Sequence, residues 1–290
     1  MAEKWADRAD LHTHTTASDG TLSPRQLVAL AGELGLGAVA ITDHDTVAGL
    51  AEGLAAGEEL GVRVVPGVEL STSQAGCEVH IVGLFIRPDS PALLDLLTRQ
   101  REERVRRNQR MLERLAQAGM PVAPEEVEPG GGGLLTRIHI AEALARKGWA
   151  ATPVEAMERY LLPGRPGWVE KNSPSPKACG AVIHQAGGLA YLAHLDRIGR
   201  KDRQRGLLVA RQVLEEAGLD GLEARYATYD RQWEALADSL AAERGLLRSG
   251  GSDFHGDRKP NRLGEGLGQL FVPVAWAEKP ENKDKKNAPG

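Results

Sequence analysis

Apolar positions in the first 85 residues form short runs that are separated by longer amphipathic stretches. The runs that predict β-strands are RADLH, GAVAIT (37–42), VRVVPGVEL (62–70) and EVHIVGLF (78–85). A helix is predicted from Pro24 to about Leu34, because Ser23 is a favourable N-cap and proline suits the first turn. A second helix is predicted over residues 46–60. Strands that alternate with helices predict βα units around a mainly parallel sheet or barrel.

A different pattern begins near residue 91. The stretch ALLDLLTRQREERVRRNQRMLERLAQAG has the period of one long, charged amphipathic helix, and no strand pattern returns before about residue 188. Shorter helices are predicted near residues 138–147 and 153–161. We interpret the basic run at 99–110 as a solvated helix face, with contact to a nucleotide backbone as the alternative.

The alternation of strands and helices returns after this helical stretch. Helices are predicted over PKACGAVIHQAGG, 205–217 and 229–244, and strands over LAYLAH, GLEA and LLRSGGSDFH. We therefore predict an α/β fold with a small all-helical insertion. The predicted parts are residues 1–90 and 167–277 for the α/β domain, 91–166 for the insertion and 278–290 for a disordered tail.

Composition narrows the function classes. Hydrophobic residues make up 41% of the 290 residues and charged residues 26%, which is typical of a globular protein. The formal charge of −4 argues against sequence-independent binding of long duplex DNA, but leaves a small anionic substrate open. No apolar run approaches the roughly 20 residues of a bilayer span, and MAEKWADRAD has no apolar signal core, so we expect a cytoplasmic protein that does not enter a membrane. Cys77 and Cys179 lack metal-type spacing and are interpreted as free thiols.

Six of the 8 histidines and three carboxylates fall at or near the ends of predicted strands. These residues are His12, His14, Asp19, His44, Glu69, His80, His194, Asp253 and His255. Taken singly, a histidine at a strand end is more often an ordinary polar residue than a ligand. Their shared position matters, since binding sites of barrels and open α/β folds gather at the carboxyl ends of strands. Together these residues predict one site.

The donor types indicate the kind of site. Imidazole nitrogens mixed with carboxylate oxygens, without thiolates, suit Zn²⁺, Mn²⁺ or Fe²⁺ at a catalytic centre. The set exceeds the needs of one tetrahedral ion and indicates two or three ions. Such a cluster lowers the pKa of a bridging water and clamps the attacking and leaving oxygens in phosphoryl transfer. His12 and His14 are two positions apart on an extended strand and therefore point to the same side.

Six segments, in this order and spacing, resemble the PHP (polymerase and histidinol phosphatase) superfamily. They are DLHTHTTASDG, ITDHDT, PGVELST, EVHIVGL, AH at 193–194 and GSDFHG. The resemblance implies a distorted (β/α)7 barrel with a trinuclear metal site, for which manganese is the first expectation and zinc or ferrous iron are the alternatives. By matching motifs, one ion would be held by His12, His14, Glu69 and Asp253, a second by Glu69, His80 and His194, and a third by Asp19, His44 and His255.

Asp19 indicates a branch within that superfamily. Histidinol phosphatase-like members tend to carry a histidine there, whereas TTASDG resembles nucleoside 3′,5′-bisphosphate phosphatases and 5′→3′ exoribonucleases, a branch that also carries a helical insertion. In LLTRIHIAEAL, Arg137 and His139 match its Arg-x-His segment, so both are candidate phosphate-binding residues. A guanidinium offers phosphate paired hydrogen bonds, which favours Arg137. The alternatives are a surface contact for Arg137 and helix packing for His139.

Two further residues are candidates for binding substrate. Arg197 follows the AH pair as it does in the branch, although Leu195 replaces the usual proline and leaves the loop geometry open. Trp168 matches an aromatic-Val pair after the insertion and is a candidate for stacking on a base, with core packing as the alternative. His184 lies outside every motif, and we expect it to pack against the fold or lie at the surface.

The resemblance implies a metal-dependent phosphoesterase. We expect it to hydrolyse nucleoside 3′,5′-bisphosphates, such as 3′-phosphoadenosine 5′-phosphate to AMP, or 5′-phosphorylated short RNA ends, through a metal-bridging hydroxide. His194 is expected to take part in catalysis besides binding metal, and Asp43, Asp45 or a metal-bound water are candidates for protonating the leaving alcohol. A histidinol-phosphate phosphatase is disfavoured by Asp19 and the insertion. A non-catalytic PHP scaffold is disfavoured because all the ligand positions are filled.

Overall fold

The computed structural model describes residues 5–128, 135–199 and 202–280. Within these residues, seven strands form one sheet in chain order. The strands are β1 (Trp5–Asp10), β2 (Leu36–Ile41), β3 (Val64–Gln74), β4 (Cys77–Leu84), β5 (Leu189–Leu192), β6 (Gly221–Tyr226) and β7 (Leu247–Gly251). The helices are α1 (Pro24–Leu34), α2 (Leu50–Leu60), α3 (Pro91–Gln117), α4 (Arg137–Arg146), α5 (Pro153–Ala156), α6 (Pro176–Gln185), α7 (Arg203–Glu216) and α8 (Arg231–Arg244). The predicted α/β class is confirmed.

The sheet is mainly parallel, with one strand reversed. β1, β2 and β3 pair in parallel, as do β5, β6 and β7, whereas β4 is antiparallel to both of its neighbours. The beginning of β4 therefore lies at the edge where the other strands end. His80, near the start of β4, pairs in register with Ser71 of β3 and so lies at the same edge as the residues that follow the parallel strands.

Backbone hydrogen bonds join the two outer strands beyond their ends. The Leu11 amide donates to the Gly250 carbonyl at 3.1 Å, and the His14 amide donates to the Phe254 carbonyl at 2.9 Å. The Asp253 amide in turn donates to the His12 carbonyl at 2.9 Å. These bonds close the sheet into a distorted barrel.

Small and aliphatic side chains fill the inside of this barrel, among them Ala9, Ala38, Ala40 and Val82, all fully buried. On the outside, helices cover the sheet with one apolar face each. Helix α1 begins as its sequence predicts: the Ser23 hydroxyl accepts from the Gln26 amide, and the helix ends at Gly35, whose φ of 72° suits glycine.

Two boundaries differ from the sequence prediction. Helix α2 begins at Leu50 rather than at residue 46, because the preceding segment is tied to the sheet and Asp45 has a φ of 51°. Strand β3 continues to Gln74, beyond the predicted end at residue 70, because it forms a hairpin with β4. Glu69 therefore lies within a strand.

The helical stretch between β4 and β5 packs in two places. Leu93, Leu96 and Leu97, in the first turns of α3, join the outer core of the barrel. Further along α3, Met111 and Leu115 form a separate core with α4 and the turns after it, where α5 continues as a π-helical turn. The domain limits at residues 91 and 166 stay a prediction that this second core supports.

Among the described residues, no helix is both long and apolar enough to cross a membrane. Cys77 and Cys179 are buried and unbridged, as predicted. Most of the predicted tail, residues 281–290, lies outside the described residues.

Candidate metal centre

The loops after the parallel strands, together with β3 and the start of β4, bring all the predicted metal ligands to one edge of the barrel. His12 and His14 follow β1, His44 follows β2, and His194 follows β5. Asp253 and His255 follow β7, and Asp19 reaches the same place on the turn before α1. The convergence depends on strand direction, since carboxyl ends of parallel strands meet at one edge.

Glu69 lies at the centre of these residues and is fully buried. Its Oε1 is 2.8 Å from His80 Nδ1 and 2.9 Å from His194 Nε2. Its Oε2 is 2.9 Å from His44 Nδ1 and 3.2 Å from Nε2 of both His12 and His14. One carboxylate thus faces five imidazoles.

The possible ligand atoms fall into three overlapping groups, each with its atoms within 4.8 Å of one another. The groups are His12, His14, Glu69 and Asp253; His44, Glu69 and His80; and His14, Asp19, His44 and His255. The first is the set expected for one ion. The third contains the expected Asp19 trio with His14 added. In the second, His44 takes the place expected for His194, which contacts the same Glu69 oxygen as His80 does.

The unpaired buried atoms fit a set of divalent cations. Glu69 Oε2 lacks a hydrogen bond of good geometry although three imidazole nitrogens face it, and His194 Nδ1 is also buried without one. Nε2 of His12 lies 3.1 Å from Nε2 of His14. Ligands at about 2.1 Å from a tetrahedral ion would lie roughly 3.4 Å apart, close to this separation. Burying such groups without a cation is costly.

The pKa shifts of His14, His80 and Glu69 also reflect the opposite charges that face one another at this centre. Burial opposes protonation of His14, but its contacts with Asp253 and Glu69 raise its pKa to about 9. For His80, burial is likewise outweighed by Glu69, and its pKa also rises to about 9. The surrounding imidazoles hold the pKa of Glu69 well below its usual value despite burial. The carboxylates therefore demand positive charge, which protons or metal ions can supply.

Glu223, on β6, is a supporting residue that the sequence reasoning missed. Its Oε1 is 2.6 Å from His12 Nδ1, and its Oε2 accepts from the His194 amide at 2.6 Å. The carboxylate is fully buried and fixes the orientation of His12 so that Nε2 faces the centre. An acidic residue inside the apolar strand GLEARY was the available signal.

The two aspartates that flank His44 have structural partners. Asp43 accepts from the Thr15 amide and hydroxyl, both at 2.7 Å, and from the Ser18 hydroxyl at 2.6 Å. Asp45 accepts from the Ser71 amide at 2.8 Å and pairs with Arg104 of α3. Asp43 ties the loop after β2 to the loop after β1, and Asp45 ties it to β3 and α3, so the geometry does not favour either as the acid for the leaving alcohol.

Asp253 presents its two oxygens to different neighbours. Oδ1 is 3.2 Å from His14 Nε2, whereas Oδ2 accepts from the Tyr226 hydroxyl and from Lys259 Nζ, each at 2.7 Å. The Arg197 guanidinium is 3.9 Å from the same Oδ2. Asp253 and His194 have φ values of 53° and 24°, the kind of backbone strain that clusters at functional sites.

A cleft of about 190 Å³ opens in front of this centre. Its lining residues are His44, Glu78, His80, His194, Arg197, Asp253 and Lys259. At its Glu78 edge, Lys171 Nζ lies 3.6 Å from the Glu78 carboxylate. The cleft therefore combines the candidate metal ligands with cations, which suits an anionic ester.

The helical stretch contributes a basic group beside the Glu78 edge. The guanidiniums of Arg137 and Arg107 lie 5.3 and 5.6 Å from the centre of the Trp168 ring. Burial, with repulsion from Arg137, lowers the pKa of Arg107 to about 10. Trp168 is half-buried, and both guanidiniums pack against its ring. Arg137 and Trp168 therefore lie together, and the two arginines make this surface cationic.

Two other histidines lie apart from the centre. His139 is buried on α4, and its Nδ1 accepts from the Thr136 amide at 3.1 Å, so it caps that helix. His184 is on α6, with Nε2 2.7 Å from an Asp220 carboxylate oxygen, and belongs to the surface. The burial of His139 fits helix packing, the alternative to phosphate binding. The position of His184 fits the expected surface role.

Comparisons with known proteins agree with this geometry. The family model described as "PHP domain" matches residues 10–120. The chain is 39% identical to the 5'-3' exoribonuclease Rnm of Salmonella typhimurium over 85% of this chain and 84% of that protein. It is 35% identical to the 3',5'-nucleoside bisphosphate phosphatase of Chromobacterium violaceum, over 85% of this chain and 86% of that protein. The crystal structure of a Bifidobacterium adolescentis protein assigned as a metal-dependent phosphoesterase is similar with a TM-score of 0.78 and 32% identity, covering 94% of this chain and 95% of that one.

Proposed function

The chain belongs to the PHP family of metal-dependent phosphoesterases, and from that premise we propose that it hydrolyses nucleoside 3′,5′-bisphosphates and the 5′-phosphorylated ends of short RNAs. The observation that carries the proposal is the pairing of two features at one cleft. Glu69 gathers five imidazoles at its floor, and Arg137 with Lys171 provides positive charge at its Glu78 edge. A substrate with two phosphates would use both.

The metal ligands in this proposal are the residues named from the sequence. His12, His14, Glu69 and Asp253 would hold one ion, and the groups around His80 and around Asp19 would hold the others, with manganese as the first expectation. Bound divalent ions would activate water and neutralise charge on the phosphate under attack. Glu223 keeps His12 oriented for this task.

Residues outside the metal centre would bind the second phosphate. Arg137 starts α4 and packs on the Trp168 ring, close enough to lower the pKa of Glu78 at the cleft edge, and its planar guanidinium would offer a phosphate paired hydrogen bonds. Lys171 adds a second positive charge there. Trp168 would act mainly by holding Arg137 and Arg107, since two guanidiniums already approach its ring.

Asp19 favours the nucleotide branch over a histidinol-phosphate phosphatase. Its Oδ1 lies 3.3 Å from His255 Nε2, and the neighbouring histidines hold the pKa of Asp19 below its usual value despite burial. The third ligand group therefore includes an anionic oxygen donor at a position where histidinol phosphatases tend to have an imidazole. The relatives that act on nucleotides and RNA point the same way.

A substrate panel tests the proposal. Protein stripped with chelator and reloaded with Mn²⁺ is given adenosine 3′,5′-bisphosphate, short 5′-phosphorylated RNAs, histidinol phosphate and p-nitrophenyl phosphate, and kcat/KM is measured for each. We expect the nucleotide substrates to exceed the other two by at least about tenfold, the size of one charge-assisted phosphate contact. A preference of tenfold or more for histidinol phosphate would overturn the assignment.

Reloading with Zn²⁺ or Fe²⁺ in parallel tests the metal. We expect Mn²⁺ to give the highest turnover, and equal turnover of stripped and reloaded protein would refute metal dependence.

A further inference from the structure

Lys259, in the loop after β7, is a cation at the cleft that no sequence motif indicated. Its Nζ lies 2.7 Å from Asp253 Oδ2, and its side chain is 29% exposed. That oxygen already accepts a hydrogen bond from the buried Tyr226 hydroxyl. Because the Tyr226 hydroxyl already orients Asp253 through Oδ2, Lys259 is not needed for that purpose. Its positive charge is therefore available to bind an anion.

Arg197, after β5, lies beside Lys259. Its guanidinium is 3.9 Å from the same Asp253 oxygen and 5.4 Å from the centre of the Tyr226 ring. Both cations line the cleft. A lysine ammonium carries three donors and a guanidinium five, so one carboxylate oxygen cannot use them all.

The cations reach the cleft at two different places. Arg137 and Lys171 approach it at Glu78, next to His80, whereas Lys259 approaches it at Asp253, next to His14. Arg197 lies between the two places, because it is 3.9 Å from Asp253 and lines a neighbouring pocket together with Glu78. Glu69 lies between His80 and His14. An anion bound on the candidate metal centre would therefore have a cationic site on each side.

We propose that Lys259 and Arg197 form a third phosphate site, which binds the phosphate that follows the scissile one in a 5′-phosphorylated RNA strand. The inference rests on the proposed function. A nucleoside bisphosphate has two phosphates, which the metal centre and the Arg137 site would accommodate. Only a strand of three or more nucleotides presents a further phosphate, so cations beside Asp253, with Lys259 farthest from Glu78, favour strands.

Two oligonucleotides isolate this contact. The dinucleotide pApA has a 5′-phosphate and one scissile phosphate, and the trinucleotide pApApA adds the phosphate assigned to Lys259. For the Mn²⁺-loaded wild-type protein we expect kcat/KM for pApApA to exceed that for pApA about tenfold, as one charge-assisted contact would give. The preference should shrink as salt concentration rises.

The variants are Lys259→Gln and Lys259→Arg, with Lys177→Gln on the exposed side of α6 as the matched control. We expect the preference for pApApA to fall to within about twofold of unity in Lys259→Gln, and to persist in Lys259→Arg and Lys177→Gln. Because both oligonucleotides use the same metal centre, damage to Asp253 cancels in this ratio. Metal content of each variant is measured alongside.

Other results would overturn either the third phosphate site or the proposed function. An unchanged preference in Lys259→Gln, or equal losses on both oligonucleotides, would overturn the third site, the latter by placing Lys259 in support of Asp253. A wild-type protein that cleaves adenosine 3′,5′-bisphosphate but does not distinguish the two oligonucleotides would overturn this inference alone. A wild-type protein that cleaves no nucleotide substrate would overturn the proposed function first.

Discussion

The candidate metal centre and the basic group beside it are built in opposite ways. In the centre, His12, His14 and Glu69 are fully buried, and backbone hydrogen bonds tie their segments together. The basic group has Arg137 at a helix start and Lys171 in an irregular segment before α6, both half-buried. One region is fixed by the sheet, and the other by the packing of side chains on a small helical core.

The difference separates two tasks that a phosphoesterase must perform. Metal ligands need fixed positions, because small displacements change coordination, and a closed sheet holds them through the backbone. A substrate-binding surface needs to differ between relatives that share one chemistry, and loops and helices outside the sheet can change without disturbing it. The pair of Asp45 and Arg104 connects the two regions, since α3 carries the arginine.

The convergence of the candidate metal ligands was largely predictable from sequence, because a sheet fixes where strand ends lie. His12, His14 and His44 stand directly after apolar strand patterns, and strand ends converge in this class of fold. To place His80 beside the other candidate ligands, one must know that β4 is antiparallel to β3, and the apolar pattern of a strand does not indicate its direction. Glu223 was missed because its partners, His12 and the His194 amide, are distant in sequence, although a charged residue in a buried strand was a signal.

The basic group was only partly predictable. Arg137 and Trp168 came from a resemblance, but Arg107 and Lys171 join them through tertiary packing that no local pattern specifies. Lys259 was missed for the same reason. The structural partners of Asp43 and Asp45 were not predictable either, because they are a loop and a strand that lie more than 20 residues away in sequence.

Substituting the central carboxylate, Glu69, should have the largest effect of the substitutions on metal binding and turnover. Glu69→Gln keeps the size of the side chain but removes the charge that five imidazoles face. We expect metal content to fall and kcat on adenosine 3′,5′-bisphosphate to drop about 10³-fold or more, since a metal centre contributes several kcal/mol and 1.36 kcal/mol is tenfold. Glu58→Gln, exposed on α2, is the control, and wild-type metal content in Glu69→Gln would contradict this account.

A substitution one step away from the ligands tests whether support within the sheet matters. In Glu223→Gln, one amide must replace two acceptors, so the amide nitrogen faces either His12 Nδ1 or the His194 amide. We expect Mn²⁺ affinity to weaken by about 10- to 100-fold, as measured by calorimetry on stripped protein. The exposed Glu216→Gln on α7 should bind Mn²⁺ normally, and equal affinities in both variants would rule out the supporting role.

On the helical side, Arg137→Gln should separate substrate binding from metal binding. We expect KM for adenosine 3′,5′-bisphosphate to rise about tenfold while metal content stays at the wild-type level, because the guanidinium packs on Trp168 and acts on Glu78, neither of which is a candidate metal ligand. Arg146→Gln, at the other end of α4, is the matched control. Loss of metal in Arg137→Gln would show that the two regions are not separable in this way.

The smallest expected effect compares ion pairs on the outside of the two regions. On the barrel, Arg248 Nε and Arg225 Nη2 bind Asp238 at 2.7 and 3.0 Å, and although burial opposes it, they lower its pKa. A lowered folded pKa gives stability that is present above the unfolded pKa of about 3.9 and is lost as pH falls through the folded pKa. Asp238→Asn should therefore cost roughly 0.5–1 kcal/mol at pH 7, allowing for solvent screening, and less at pH 3, by urea unfolding of stripped protein.

The counterpart on the helical side is the exposed pair of Glu126 and Lys147. Glu126→Gln should change the free energy of unfolding less than Asp238→Asn does at pH 7, because solvent screens both pairs and Glu126 has one flexible lysine where Asp238 has two guanidiniums. A larger loss in Glu126→Gln than in Asp238→Asn would reverse the comparison. It would mean that charges at the surface stabilise the helical core more than the barrel, whose stability comes from the buried faces between sheet and helices.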